Sequence, residues 1–346
     1  MKRFRSFSLL LAFSALFLFS GTMHAQNEAL KYLENIDNQF ESISSDMWDY
    51  SAAVAHGKSA RKVEKRRKEV LASMLDAQSK VKKMQGFEGD KSLRDSVLSY
   101  LKLDYNVMNN DYAKIVDMEE IAEQSYDAME AYLLAQEKAN LKLHAASDML
   151  ADQQKAFAKA HGITITDSKD KIGQKLEAAG AVFKYYNVVY LIFFKSYKQE
   201  AYMIDALNKN DLNALKQNAD ALTKSATEGI RKVDSLKPYN GDGSIKAACQ
   251  EMLKFYKTEA GKDCPIMIAY SVKKENYDKL KKAYDGKGNH SSADVNELNK
   301  AGTDLNKASA DYQKVNDDLN KKRTDLLNKW TDGVAHFLDK QVPSKK

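Results

Sequence analysis

The chain has 346 residues and a formal charge of +6, and 43% of its residues are hydrophobic. This length allows two domains, and the hydrophobic content is sufficient for folded cores. The charge is small for a chain of this length, whereas bulk nucleic-acid binding goes with a strongly basic domain, so we expect no nucleic-acid partner. Two cysteines are too few for a disulfide framework or a cysteine-rich metal site.

Residues 1–25 have the pattern of a secretory signal peptide. The basic MKRFR precedes the apolar SFSLLLAFSALFLFSG, and a small residue stands before Gln26. The apolar run is shorter than the roughly 20 residues of a spanning helix, which favours cleavage over a retained anchor. Cleavage removes Lys2, Arg3 and Arg5 and no acidic residue, so the formal charge falls from +6 to +3. We therefore expect a secreted, periplasmic or cell-surface protein.

Helical periodicity dominates the mature chain, which contains few prolines and glycines. One series of apolar residues recurs at steps of three and four over Leu30, Leu33, Ile36, Phe40, Ile43, Met47, Tyr50 and Val54. A second series runs from Val295 to Phe337, which predicts a helix roughly 60 Å long of the coiled-coil type. The predicted helices are 27–56, 59–84, 92–118, 119–160, 172–209, 211–236, 244–284 and 293–340.

Residues 53–70, AVAHGKSARKVEKRRKEV, join a Gly-Lys-Ser to a dense basic run. A Walker loop needs GxxxxGK[ST] after a strand, but Ala52 stands five residues before Gly57 and the flanking pattern is helical. We therefore exclude nucleotide hydrolysis at this segment. The following helix keeps one apolar face through Val63, Val70, Met74 and Val81, which leaves its basic residues at the solvent with Glu64 and Glu69 as local partners.

Two interpretations of this basic segment remain open. Charge runs are usually solvated helix faces, and that interpretation needs no ligand. The alternative is a weak anion site in which the backbone N–H groups at the helix start meet an acidic lipid, glycan or envelope protein. The candidate anion-binding residues are His56, Lys58, Ser59, Arg61 and Lys62.

An internal repeat organises the chain. SKVKKMQGFEGDKSLRDSVLSYLKL at 79–103 aligns with RKVDSLKPYNGDGSIKAACQEMLKF at 231–255, with Gly89 and Asp90 matching Gly241 and Asp242. Glycine permits a tight turn and Asp or Ser caps the next helix, so each copy predicts a helix–turn–helix. We predict an elongated all-α bundle of two related, duplicated four-helix lobes. The lobes are 26–162 and 172–346, with a linker at 163–171 that contains a short β-like run.

The apolar segment YYNVVYLIFFKSY, residues 185–197, is too short to span a membrane. Its hydrophobicity on all sides predicts a buried central helix rather than a ligand pocket. Cys249 and Cys264 would lie about 22 Å apart on one continuous helix, too far for a disulfide. The break from Gly261 to Pro265 leaves a disulfide open.

Catalytic patterns are sparse. The mature chain contains five histidines but no HExxH pair, no CxxCH and no GxSxG nucleophile elbow. Asp332 and His336 lie one helical turn apart, yet two ligands fall short of a zinc site. The sequence therefore predicts no catalytic residue, metal or cofactor, and it selects no reaction.

The signal peptide, the two-lobe helical layout and YSAAVAHGKSARKVEKRRKEV at 50–70 resemble an uncharacterised family of exported bacterial helical surface proteins. The resemblance covers most of the mature chain and is specific in this one segment. It implies export and placement in the envelope or at the surface, and it supplies no catalytic residue, cofactor or ligand. We therefore expect a noncatalytic binding or interaction protein. The alternative is an envelope enzyme or small-ligand carrier whose site forms between the two lobes.

Overall fold

The protein is all-α, as predicted, in the computed structural model, which describes residues 16–18, 24–166 and 171–343. The helices are α1 (His24–Asp37), α2 (Glu41–Ala55), α3 (Ala60–Lys83), α4 (Ser92–Asn106), π1 (Val107–Asp111), α5 (Tyr112–Ala122), α6 (Tyr126–Ala160), α7 (Lys171–Asn208), α8 (Leu212–Ser235), α9 (Ser244–Thr258), π2 (Glu259–Asp263), α10 (Cys264–Asp285) and α11 (Ser292–Gln341). The elements π1 and π2 are single π-helical turns inside longer helical runs. None of the helices described is both long and apolar enough to cross a membrane.

Two three-residue strands pair antiparallel. Strand β1 (Leu16–Leu18) lies opposite β2 (Thr164–Thr166), with Phe17 facing Ile165 in the register. The second strand is the β-like run that the sequence predicts between α6 and α7. The first falls within the predicted signal peptide, most of which lies outside the described residues. Cleavage before Gln26 would therefore remove β1 and leave β2 unpaired.

Two compact units make up the chain. Unit 1 comprises residues 1–187 and 335–346, and unit 2 comprises residues 188–334. The predicted linker at 163–171 contains β2 and the first residue of α7, and its residues 167–170 lie outside the described part of the chain. The division into units falls elsewhere, between residues 187 and 188. Both residues lie within α7, which continues unbroken from one unit into the other.

Two predicted helix boundaries differ from those observed. The predicted helix 27–56 is interrupted between α1 and α2, where Gln39 N–H donates to the Ile36 carbonyl at 3.0 Å and Phe40 N–H to that of Asp37 at 2.9 Å. Both bonds span three residues and close a turn in place of the α-helical bonds. The predicted boundary at 118/119 lies instead at the start of α6, because the Ser125 hydroxyl accepts from Ala128 N–H at 3.1 Å and caps that helix.

The cores are built from the apolar faces that the periodicity predicts. In unit 1, Val63, Val70, Met74 and Val81 of α3 are all buried. In unit 2, Phe193 of α7 stacks on Trp330 of α11 with ring centroids 4.3 Å apart. The segment 185–197 lies in the core, as predicted, through Tyr186, Val189, Phe193 and Phe194. Burial is incomplete at Val188, which is 44% exposed.

Both cysteines are buried free thiols. Cys249 lies in α9 and Cys264 begins α10, and the predicted break between them is the turn π2, which keeps the chain helical. The Cys249 Sγ lies 3.9 Å from the Val189 carbonyl oxygen. Burial raises the pKa of the Cys249 thiol well above its usual range and that of Cys264 to about 11. Both thiols are consequently protonated and unreactive at neutral pH.

The two Gly-Asp turns of the sequence repeat have the same backbone. Asp90 N–H donates to the Phe87 carbonyl at 2.9 Å, and Asp242 N–H donates to the Tyr239 carbonyl at 2.8 Å. In each turn the Asp carboxylate then accepts from the backbone N–H two residues later, at 2.8 and 2.9 Å. Both turns carry a positive-φ pair, which is Glu88 and Gly89 in the first turn and Asn240 and Gly241 in the second. The predicted helix–turn–helix shape is therefore found at both positions.

The matching bounds extend beyond the turns. Helices α3 and α8 begin and end 152 residues apart, as do α4 and α9, and the turns π1 and π2 repeat the same spacing. A π-helical turn is rare and interrupts the regular hydrogen bonding of an α-helix, so its recurrence at a fixed offset is a specific feature of this backbone.

Replacing Gly89 or Gly241 by Ala is expected to lower the free energy of unfolding by about 1–2 kcal/mol, because a side chain is strained at φ of 89° and 79°. An added Cβ would touch nothing at either position, so the loss would come from the backbone alone. Chemical denaturation measures the change. Gly243→Ala is the matched control, since that glycine also has open space and no positive φ. An equal loss in the control would contradict this explanation.

Candidate functional site

The predicted anion site lies at the turn between α2 and α3. Gly57 adopts a φ of 57°, its N–H donates to the Val54 carbonyl at 3.0 Å, and Lys58 N–H donates to the Ala53 carbonyl at 3.0 Å. This is a glycine-terminated helix end, and Ser59 then stands at the N-cap of α3. The segment joins two helices and follows no strand, so its backbone differs from that of a Walker loop.

His56 is bonded to a residue outside the candidate set. Its Nδ1 donates to the Asp339 carboxylate near the end of α11, and the imidazole side chain is only 13% exposed. The second ring nitrogen, Nε2, is buried without a hydrogen-bond partner among the described residues. The sequence did not indicate Asp339, which lies 283 residues further along the chain. His56 therefore connects two parts of unit 1, and its ring is already engaged by a carboxylate.

The second half of the basic run is neutralised by neighbouring carboxylates. Arg66 contacts Glu69 at 2.7 Å and Asp49 at 3.5 Å, and Arg67 Nε donates to Glu64 at 2.9 Å. Lys65 and Lys68 form longer pairs with Glu69 and Glu64 at 3.8 and 4.0 Å. The predicted partners Glu64 and Glu69 are therefore confirmed.

Arg67 is a structural residue that the sequence prediction did not single out. Its side chain is largely buried, and its Nη1 donates to the Met108 carbonyl in π1 at 2.8 Å. The helical periodicity could not distinguish Arg67 from the surrounding lysines. An arginine inside a basic run is expected at the solvent, as its neighbours are. The contact with Met108 joins α3 to the π-helical turn and satisfies one of its carbonyl groups.

The first half of the basic run has no such partners. Lys58, Arg61 and Lys62 are exposed, and none forms an ion pair with a residue in the described ranges. The Ser59 hydroxyl makes no capping hydrogen bond. These four residues stand at the start of α3, where the first backbone N–H groups of a helix carry a partial positive charge. We name Lys58, Ser59, Arg61 and Lys62 the basic helix start.

The basic helix start has the chemistry to attract an anion. It combines three unpaired cations and a hydroxyl with the helix dipole, a set that recognises carboxylate, sulfate or phosphate. No group of three His, Cys, Asp or Glu side chains within the described residues is arranged to hold a metal. A separate surface pocket in unit 1 is lined by Glu41, Ser42, Ser45, Lys171 and Ile172, which select no reaction.

Unit 2 contains a buried ionic cluster that the sequence did not indicate. Arg323 of α11 donates to Glu200 of α7 at 2.6 Å and to Glu259 in π2, and both carboxyls are at most 3% exposed. The third guanidinium nitrogen, Nη1, donates to the Asn320 side-chain oxygen at 2.7 Å. One oxygen of Glu259 and the hydroxyl of the neighbouring Tyr256 are buried without hydrogen-bond partners in the described structure. The cluster connects α7, π2 and α11.

The charges of this cluster do not balance when both carboxyls are ionised. Burial first, and then the negative charge of Glu200, raise the pKa of Glu259, while Arg323 opposes the shift only in part. With Glu259 protonated, one carboxylate faces one guanidinium and the cluster is neutral. Buried carboxyls of this kind often mark active sites, but structural networks shift pKa values as well.

Unit 1 contains a comparable buried acid. Asp104 in α4 is buried, and its Oδ1 has no hydrogen-bond partner among the described residues. Burial raises the pKa of Asp104 to about 8, and a hydrogen bond with Tyr100 offsets only part of that shift. The residue lies just before π1, whereas Glu259 lies within π2. Burial therefore favours the protonated form of both acids.

Comparison with known proteins adds no relative. No family model, curated protein or solved structure matches the chain. The resemblance to exported helical surface proteins consequently stays a prediction from the sequence.

The free energy of unfolding is expected to fall as the pH rises from about 5 to about 8, by up to about 1.4 kcal/mol per pH unit for each buried acid. Asp104 titrates near its usual 3.8 when unfolded and at about 8 when folded, so the folded state holds the extra proton between these values. The stabilisation that this proton provides is complete at pH values below the unfolded pKa. It is lost as the pH rises through the folded pKa. Urea denaturation at several pH values measures the slope.

Asp104→Asn should flatten this slope because the amide does not titrate, and adding Glu259→Gln should flatten it further. Asp95→Asn on the exposed face of α4 is the matched control and should leave the slope unchanged. A wild-type slope that persists in the double variant would contradict the assignment.

Proposed function

We propose that the protein is an exported, noncatalytic binding protein of the bacterial cell envelope or surface. In this proposal the basic helix start holds an acidic group of a lipid, a glycan or another envelope protein. The observation that carries the proposal is the division of the basic run. The cations at 65–68 have carboxylate partners, whereas Lys58, Arg61 and Lys62 have none among the described residues.

An unpaired group of cations at a helix start suits binding better than catalysis. A catalytic site needs a nucleophile or an acid–base group beside a place for the substrate. The strongest candidate for such a group is Glu259, whose side chain is fully buried and already bonded to Arg323. The basic helix start is instead exposed and can be reached by a large partner such as a membrane surface.

We further propose that the chain arose by duplication of a helical lobe. The support comes from the repeated sequence at 79–103 and 231–255, the equal turns at Gly89 and Gly241, and the constant offset of 152 residues between α3 and α8, α4 and α9, and π1 and π2. The unpaired basic residues have no equivalent in the second copy, where the residues before α8 are Lys209, Asn210 and Asp211. In this proposal, anion binding belongs to the first copy alone.

Export is tested by the N-terminus of the protein isolated from a bacterial host. We expect intact-mass analysis to show a chain that begins at Gln26, because the basic, apolar and small-residue regions of 1–25 follow the signal-peptide pattern. The protein should be released with the extracytoplasmic fraction. Recovery of a chain that retains residues 1–25 in the cytoplasm would contradict this proposal.

Anion binding is tested with vesicles that contain an anionic phospholipid and with a sulfated polysaccharide. The triple variant Lys58→Ala, Arg61→Ala, Lys62→Ala should weaken binding to anionic vesicles by up to about 3 kcal/mol, since each cation near such a surface contributes about 1 kcal/mol. Binding by the wild type should weaken with added salt. Co-sedimentation with vesicles measures both effects.

The control removes the same number of charges from the other end of the same helix. Lys80, Lys82 and Lys83 are exposed in the last turn of α3, and their replacement by Ala should leave binding nearly unchanged. Circular dichroism should show equal helix content in both triple variants. Equal loss of binding in the two variants would show a general charge effect, and no loss in either would remove the site.

A further inference from the structure

Unit 2 contains a two-helix arm, formed by residues 268–285 of α10 and 292–318 of α11. The helices run antiparallel, since Tyr270 stacks on Tyr312 with centroids 4.6 Å apart and Lys273 Nζ lies 3.4 Å from the Asp304 carboxylate. No residue of the arm is fully buried. The arm is therefore a pair of helices without a core of its own.

The arm nevertheless has the apolar repeat of a larger coiled coil. On α10 the seven-residue repeat is Tyr270, Tyr277 and Tyr284, and on α11 it is Leu298, Leu305 and Tyr312, accompanied three residues later by Ala301, Ala308 and Val315. The next member of the α11 repeat, Leu319, is buried among the other helices of unit 2. In the arm the residues of the repeat are only partly buried.

The two helices of the arm carry opposite charge. The α10 segment has five lysines and three acidic residues, for a net charge of +2, whereas the α11 segment has three lysines and six acidic residues, for a net charge of −3. Within the arm helices, one ion pair joins the two, between Lys273 and Asp304, and the other α10 pairs lie along α10 itself. Glu297 and Asp311 form no ion pair with any described residue.

We propose that the arm is a self-association surface, on which α10 of one copy packs against α11 of a second copy to form a four-helix bundle. A twofold arrangement places each basic helix beside an acidic helix and covers both half-exposed apolar faces. Packing α10 on α10 or α11 on α11 would instead bring like charges together. The arm itself carries the complementary charge, which favours a second copy over a foreign helix. This inference is independent of anion binding at α3.

Light scattering on the exported, purified protein tests the proposal. The wild type should have twice the monomer mass at micromolar concentration, and about 1 M salt should weaken the dimer. An acid-to-lysine variant, Glu297→Lys with Asp311→Lys, should dissociate at least about tenfold more readily, since like charges then face each other. A lysine-to-acid variant, Lys274→Glu with Lys281→Glu, changes the two lysines that flank the tyrosine repeat and should behave in the same way.

Mixing the two charge variants gives the decisive measurement. Each altered helix then meets a helix of opposite charge in the other variant, so the mixture should restore a dimer that neither variant forms alone. Lys80→Glu with Lys83→Glu in α3 is the control and should leave the dimer intact. Circular dichroism identifies a variant that fails to fold, and the single substitution Asp311→Lys then replaces it. A monomeric wild type, or a dimer unaffected in both variants, would overturn the proposal.

Discussion

The fold depends on the need of each helix to bury one apolar face. The backbone of a helix satisfies its own hydrogen bonds, so the apolar faces bring the helices together. Val70, Met74 and Val81 repeat along α3 at helical spacing and are all buried, while the opposite face of the same helix holds the basic run. The cations at 65–68 pair mainly with Glu64 and Glu69 of the same helix, and the packing of α3 on α2 adds Asp49 as a second partner of Arg66.

The buried charges depend on the same packing. Arg323, Glu200 and Glu259 come from three helical elements and meet only because the apolar faces of α7 and α11 pack in unit 2, where Phe193 stacks on Trp330. A buried ion pair is costly to break because the remaining partner keeps an uncompensated charge. Burial raises the pKa of Glu259 and so favours its protonation, which lowers the cost of placing two acids near one guanidinium. The cluster therefore favours one arrangement of these helices over alternatives with similar apolar packing.

The exposed charges follow a different principle. At the start of α3, Lys58, Arg61 and Lys62 add to the partial positive charge of the helix end, whereas four residues later the same kind of side chain is paired. On the arm, opposite charges are separated onto two helices and mostly do not meet. In both places the surface retains charge that its own fold leaves without a partner. Unpartnered surface charge is therefore common to the start of α3, where we propose anion binding, and to the arm, where we propose self-association.

The amino-acid sequence alone determined the all-α class, most helix bounds, the apolar faces and the two Gly-Asp turns, because each of these depends on residues close together in the chain. The periodicity of Val63, Val70 and Met74 and the turn at Gly89 are local signals of this kind. Only the tertiary structure decided that His56 meets Asp339, that Arg67 reaches Met108, and that Glu200, Glu259 and Arg323 form one cluster. The π-helical turns and the exposure of Val188 were also decided there. Contacts between distant residues depend on how helices pack, and helical spacing records only which face of each helix is apolar.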